Sequence, residues 1–175
     1  MATMTTFAGS GAIAAADYRA IKWTGKTKGG GSVVIEFTKA INMGNIDWTF
    51  AEKDDTVAQV VFTSVYTNKD VMASSPAEAW TVKFTPGSTD SASGNIMLGA
   101  GVLSIDSTDV ALTRGGGSFS VEREFREINA DGDRGPVEDR IVIDGSRATL
   151  TLNALTFIKD MNKLYPAVTA TTSTT

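Results

Sequence analysis

The residues best equipped for chemistry are crowded into one stretch. Glu122, Glu124 and Glu127 alternate with Arg123 and Arg126, and Asp131-Gly132-Asp133 follows. Paired carboxylates could act as general acid and base, or hold a divalent cation. The spacing supports neither. In an extended strand Glu122, Glu124 and Arg126 share one face, with Phe119, Val121, Arg123 and Phe125 on the other, and no nucleophile or further ligand converges on them. Asp131 and Asp133 match the start of a calcium loop, but the fifth position is Gly135 and no glutamate closes it. Gly25-Lys26-Thr27 lacks the earlier glycine and the strand–loop–helix setting of a phosphate loop. A charged assembly surface fits the cluster better than catalysis.

Composition narrows the chemistry further. The chain has no histidine and no cysteine, which removes the commonest general base, thiolate metal sites, disulfides and every Ser-His or Cys-His triad. An enzyme is therefore not expected, and no cofactor or metal is. The net charge of −4 is not the basic surplus of a nucleic-acid groove. No run approaches the ~18 apolar residues of a membrane helix. Met1–Thr6 has neither the positive region nor the apolar core of a secretory leader, so a cytoplasm-like site of synthesis is expected.

The charged cluster needs a scaffold, and its surroundings supply one. Leu112 to Gly117 reads as a glycine hinge, Ser118–Ile128 as a strand, Asn129–Pro136 as an acidic, glycine-bearing tip, and Val137–Asp144 as the returning strand. This long β-hairpin carries Phe119, Val121 and Phe125 on a face that needs a partner sheet, and its edge invites pairing with another chain.

Further strands are predicted at Tyr18–Thr24, Ser32–Thr38, Asn45–Phe50, Thr56–Tyr66, Trp80–Phe84, Ile96–Ile105, Asp109–Thr113 and Arg147–Asn153. Ala58, Val60, Phe62 and Tyr66 form one wall-facing row. Asn68–Glu78 could hold a helical turn. Thr156 can cap a helix over Phe157–Leu164, ended by Pro166, with Phe157, Ile158, Met161 and Leu164 packing on the sheet. The expected fold is all-β, sandwich- or barrel-like, with one short flanking α-helix and the long hairpin. Residues 1–16 and 167–175 read as flexible arms, 17–85 and 95–166 as two halves of one β domain, and 86–94 as a flexible linker. Lys28-Gly29-Gly30-Gly31-Ser32 is echoed by Arg114-Gly115-Gly116-Gly117-Ser118, each followed by a glutamate, which suggests a two-part pseudo-repeat.

The stretch from Leu112 to Ile128, with Ala130-Asp131-Gly132-Asp133 and Gly135-Pro136-Val137, resembles the signature of the bacteriophage tail tube (major tail) protein family. Thr149–Leu155 and Leu164-Tyr165-Pro166 fit its continuation. Gly25–Gly31, Asn42-Met43-Gly44-Asn45 and Lys53-Asp54-Asp55 before Val57–Phe62 resemble the family's other half. The likeness spans most of the chain outside the arms and linker. The order departs from the pattern: the Arg-Gly-Gly-Gly half usually comes first, so the chain reads as a circular permutant, with Thr3–Thr6 and Val168–Thr175 as the ends of a cut connection.

The resemblance implies a β-sandwich flanked by a helix, six copies closing into a ring whose inner strands make one barrel, and stacked rings forming a conduit for viral DNA. The hairpin would bridge to the next ring. Arg114, Gly115, Gly116, Gly117, Glu122, Arg123, Glu124, Phe125, Arg126, Asp131, Asp133, Arg134 and Pro136 are then the subunit or ring–ring interface. The implied partners are further copies, other tail proteins, and DNA passing without specific binding; no membrane is involved. The implied location is the virion tail, assembled in the host bacterial cytoplasm. A mildly acidic subunit suits a lumen that repels phosphate. A second reading is a monomeric β-barrel binding a small molecule or glycan through Trp23, Trp48 and Trp80, though core or interface packing explains those side chains better.

Overall fold

The computed structural model describes residues 3–48, 56–66, 79–88, 91–132, 134–138, 140–155 and 158–174. Its strands, in chain order, are β1 (Thr3–Gly9), β2 (Arg19–Thr27), β3 (Ser32–Asn42), β4 (Ala58–Ser64), β5 (Trp80–Thr85), β6 (Met97–Ile105), β7 (Thr108–Glu127), β8 (Ile141–Ala154) and β9 (Val168–Thr174). The fold is all-β. Pairing runs β2-β6-β7-β8-β4-β3, and β3 pairs again with β2, so six antiparallel strands close on themselves. Strand β5 lies alongside Ser32–Phe37 of β3, and β4 takes over at Ala40–Asn42.

Period-two alternation explains which side chains fill the barrel. Val60 opposes Leu152 and Phe62 opposes Leu150, while the smaller Ala58 opposes Ala154, and all six are buried. On the other wall Ile21 lies between Phe37 and Ile105, and Trp23 between Ile35 and Leu103. Trp23 fits because its neighbours are glycines: a Cβ on Gly101 would lie 2.6 Å from the indole nitrogen. The indole N–H donates to Thr113 Oγ1 at 3.1 Å, and that hydroxyl donates to the Gly101 carbonyl at 3.1 Å. The largest aromatic of the core thus has its polar atom satisfied inside.

The strands fall into two locally connected groups. Strands β2 to β5 pair among themselves, as do β6 to β8, and the groups meet along two seams, β2–β6 and β4–β8. Between them, Gly94 at the end of the segment read as a flexible linker, and Ile96 just beyond it, are bonded to the β2–β3 turn. Gly29 N–H donates to Gly94 O at 2.7 Å and Lys28 N–H to Ile96 O at 2.9 Å. The two glycine triplets differ in setting: Gly29–Gly31 belongs to a hairpin turn, whereas Gly115–Gly117 lies within β7, so the sequence echo is not a repeat of local structure.

Several expectations need correction. The ends, read as flexible arms, form an antiparallel ribbon from Thr3 opposite Thr174 to Gly9 opposite Val168; the strand propensity of threonine outweighs its polarity here. Residues 45–48 are not a strand, because the Asn42 side chain accepts from Gly44 N–H at 2.8 Å and turns the chain. Asp109–Thr113 is the start of the twenty-residue β7, and Arg147–Asn153 continues the returning arm as part of β8. The helix is shorter than expected: a 3-10 turn at Ile158–Asp160 leads into α1 (Met161–Leu164), which buries Leu164 and leaves Ile158 exposed. Asn68–Glu78, Phe50, Thr156 and Phe157 lie outside the described residues.

Candidate assembly interface

The hairpin begins where β7 leaves β6. Thr113 still pairs with Gly101 of β6 and Ala154 of β8, but Gly117 pairs with Leu152, so β7 takes four steps against two on β8. Gly115 (φ +79°) and Gly116 (φ +88°) absorb the surplus in left-handed conformations. Gly117 serves differently: a Cβ there would lie 2.5 Å from the Thr151 carbonyl oxygen. Arg114 leads into this bend on the exposed side. Because nothing lies within 4 Å of a Cβ built on Gly116, Gly116→Ala is a purely conformational probe. It is expected to destabilise the subunit by about 1 kcal/mol, read from the midpoint of urea unfolding.

Beyond the bend the arms pair from Gly117–Leu152 to Glu127–Ile141, and Ile128 N–H adds a bond to Arg140 O at 2.9 Å. The two faces differ. Glu122, Glu124 and Arg126 share one face, as the spacing predicts, with Glu122 opposite Arg147. Arg126 grips Asp144 with two hydrogen bonds, Nε to Oδ2 at 2.7 Å and Nη2 to Oδ1 at 3.1 Å. Asp144 is the extra residue of a second bulge, between the Glu124–Gly145 and Phe125–Ile143 pairs. Hydrogen bonding from the Arg126 guanidinium, helped by its charge, holds the Asp144 carboxyl below the usual carboxylate range.

The other face is apolar and continues out of the core. Phe119 meets Trp80 of β5 edge-on, with ring centres 5.5 Å apart, and lies 6.2 Å from Phe37. The Arg123 guanidinium sits 5.8 Å from the Trp80 ring centre. Past Arg123 the cover ends: Phe125 is 63% exposed, and Ile141 and Ile143 opposite are 52% and 48% exposed.

At the tip, Asp131, Arg134 and Pro136 are exposed, while Asp133 lies outside the described residues. A hollow there is lined by Glu127, Asn129, Ala130, Gly135 and Pro136. The predicted residues therefore do not converge. At ~3.3 Å per residue the strand from Gly117 to Ile128 spans roughly 35 Å, a surface rather than a pocket. Among the described residues no three carboxylates group as metal ligands. Trp23 is buried, and Trp48 and Trp80 pack against the core.

Sequence reasoning missed Asp144, Ile141 and Ile143, and it read Trp80 as a packing residue without placing it against Phe119 and Arg123. Strand alternation placed the face of β7, but Trp80 comes from β5, and Asp144 depends on a bulge. Compared with family models, with curated proteins and with solved structures, the chain matches none.

Proposed function

We propose that this chain is a structural subunit that self-assembles into stacked rings, the building unit of a hollow tube of the bacteriophage tail type, and that it is not an enzyme. The observation that carries the reading is the hairpin: it projects from a closed barrel with one face charged and holding the Arg126–Asp144 salt bridge, and with the outer part of the other uncovered. A contiguous exposed apolar strip on a soluble β-protein marks a contact surface. The spread of charge along roughly 35 Å suits a joint between subunits rather than a reaction centre. The resemblance of Leu112–Ile128 to the tail tube signature points the same way and supplies the conduit role. In that role the rings are hexameric and lie in the virion tail after assembly in the bacterial cytoplasm. The partners are further copies and other tail proteins, while DNA passes without specific binding.

The binding-module reading draws less support, because Trp23, Trp48 and Trp80 are used in packing. Size-exclusion chromatography with negative-stain microscopy tests the proposal. The expected result is rings or hollow tubes about the width of several subunits; a strictly monomeric particle at high concentration would overturn it.

A further inference from the structure

Closing a barrel removes free strand edges, so the unpaired backbone of the described residues is concentrated in three places: the hairpin arms, the outer side of β5, and the β1–β9 ribbon. They are not equally protected. The hairpin arms carry a dense run of charge from Glu122 to Glu127 and a bulge at Asp144, the usual devices against edge pairing. The ribbon has none. Its two seven-residue strands contain no charged residue and no proline.

The ribbon is held to the rest of the subunit at its base. Ser10 N–H donates to Ala167 O at 2.7 Å, Ala167 N–H donates to Asp17 Oδ2 at 3.2 Å, and Val168 packs on the core. Beyond that, residues 3–6 and 169–173 are exposed. A two-stranded ribbon by itself is marginal in water, so this one is an incomplete sheet. The outer side of β5 is its natural complement. Among the described residues strand β5 pairs with β3 on one side only, and its single charge, Lys83, is drawn back onto Glu36. Hydrogen bonding from Lys83 holds the Glu36 carboxyl below its ordinary value. Val82 and Phe84 stand 45% and 48% exposed on the same strand.

We infer that the ribbon is a docking arm: its β1 strand adds to the free side of β5 in a second copy of this chain. The lengths agree, seven residues against six, and the face of β1 that carries Met4 can meet the face of β5 that exposes Val82 and Phe84. Pairing of like edges, β1 with β1 of another ribbon, would be isologous and stop at two copies. Ribbon-to-β5 pairing joins two different surfaces, so it repeats from copy to copy and can close a ring. The inference rests on the self-assembly reading and names the strands that carry it.

The chain has no cysteine, so single introduced thiols give a clean test. One copy carries Thr5→Cys, another Thr81→Cys, and a short bis-maleimide is added to each alone and to the mixture. Thr3→Cys and Thr85→Cys repeat the experiment in neighbouring registers. The expected result is a covalent dimer in the mixtures and little in the single samples. A Thr5→Lys variant should raise the concentration needed for assembly about tenfold, because a charged side chain on an edge strand opposes pairing with a second sheet. Tubes without mixed dimers in any register would overturn the docking arm while leaving the tube reading intact. Dimers of Thr5→Cys with itself would overturn it in favour of ribbon–ribbon contact. Mixed dimers without tubes would uphold the docking arm and sink the tube.

Discussion

A subunit lacking residues 129–136 is expected to fold normally and fail to build tubes. The deletion joins Ile128 to Val137 beyond the last described bond of the hairpin, Ile128 N–H to Arg140 O. Residues 137–140 remain as a short connection, within the range natural hairpins use. Nothing buried is lost, because the described tip residues are exposed. Unfolding midpoints should therefore move by no more than about 0.5 kcal/mol. The reach of the hairpin changes instead, together with Asp131, Arg134, Pro136 and the hollow they adjoin. Light scattering should report monomers or isolated rings where the parent gives long assemblies. Tubes of ordinary length from the deleted subunit would refute the role assigned to the tip.

Asn42→Ala is expected to have the largest effect on stability of any single polar substitution considered. Its side chain is buried and serves three backbone groups at once. Nδ2 donates to the Leu164 carbonyl at 2.8 Å, and Oδ1 accepts from Gly44 N–H at 2.8 Å and Val61 N–H at 3.1 Å. One amide thereby fastens the end of β3, the start of the following loop, β4 and the C-terminus of α1. Alanine would leave these groups unpaired where water has little access, at about 1 kcal/mol or more each, for a total of about 3 kcal/mol. For a chain of this size that corresponds to a fall of roughly 10 °C in Tm. Asn42→Asp keeps both acceptor bonds and loses the donor, so it should fall between the two in a thermal melt. A melt unchanged by Asn42→Ala would show that the pin contributes nothing.

Much of the barrel was legible in the sequence because buried rows repeat every second residue. The row Ala58, Val60 and Phe62 is buried as expected, although Tyr66, predicted to extend it, is 41% exposed. The long hairpin was legible for the same reason, and its charged and apolar faces fall where alternation puts them. What alternation could not supply was continuity. Three glycines read as the end of a strand, yet β7 runs through them because two left-handed residues store the surplus length as a bulge. The ends were misread for the opposite reason. Small polar residues suggest disorder, and only a partner strand 165 or so positions away reveals them as a ribbon. Trp80 and Asp144 were illegible as parts of the interface because their placement depends on which strand lies across from β7 and in what register.

The division of the barrel into two locally paired groups bears on how the chain finds its fold. Hairpins such as β2–β3 and β6–β7 close short loops, so they form early and cheaply, whereas the β2–β6 and β4–β8 seams join residues 70 to 96 positions apart. The slow step is then the docking of two preformed meanders along both seams together. Each meander is complete without reference to the order in which the two are synthesised. A chain that made β6 to β8 first and β2 to β5 second would keep every internal pairing of both groups and the same two seams. Folding of this architecture is thus insensitive to which half leads.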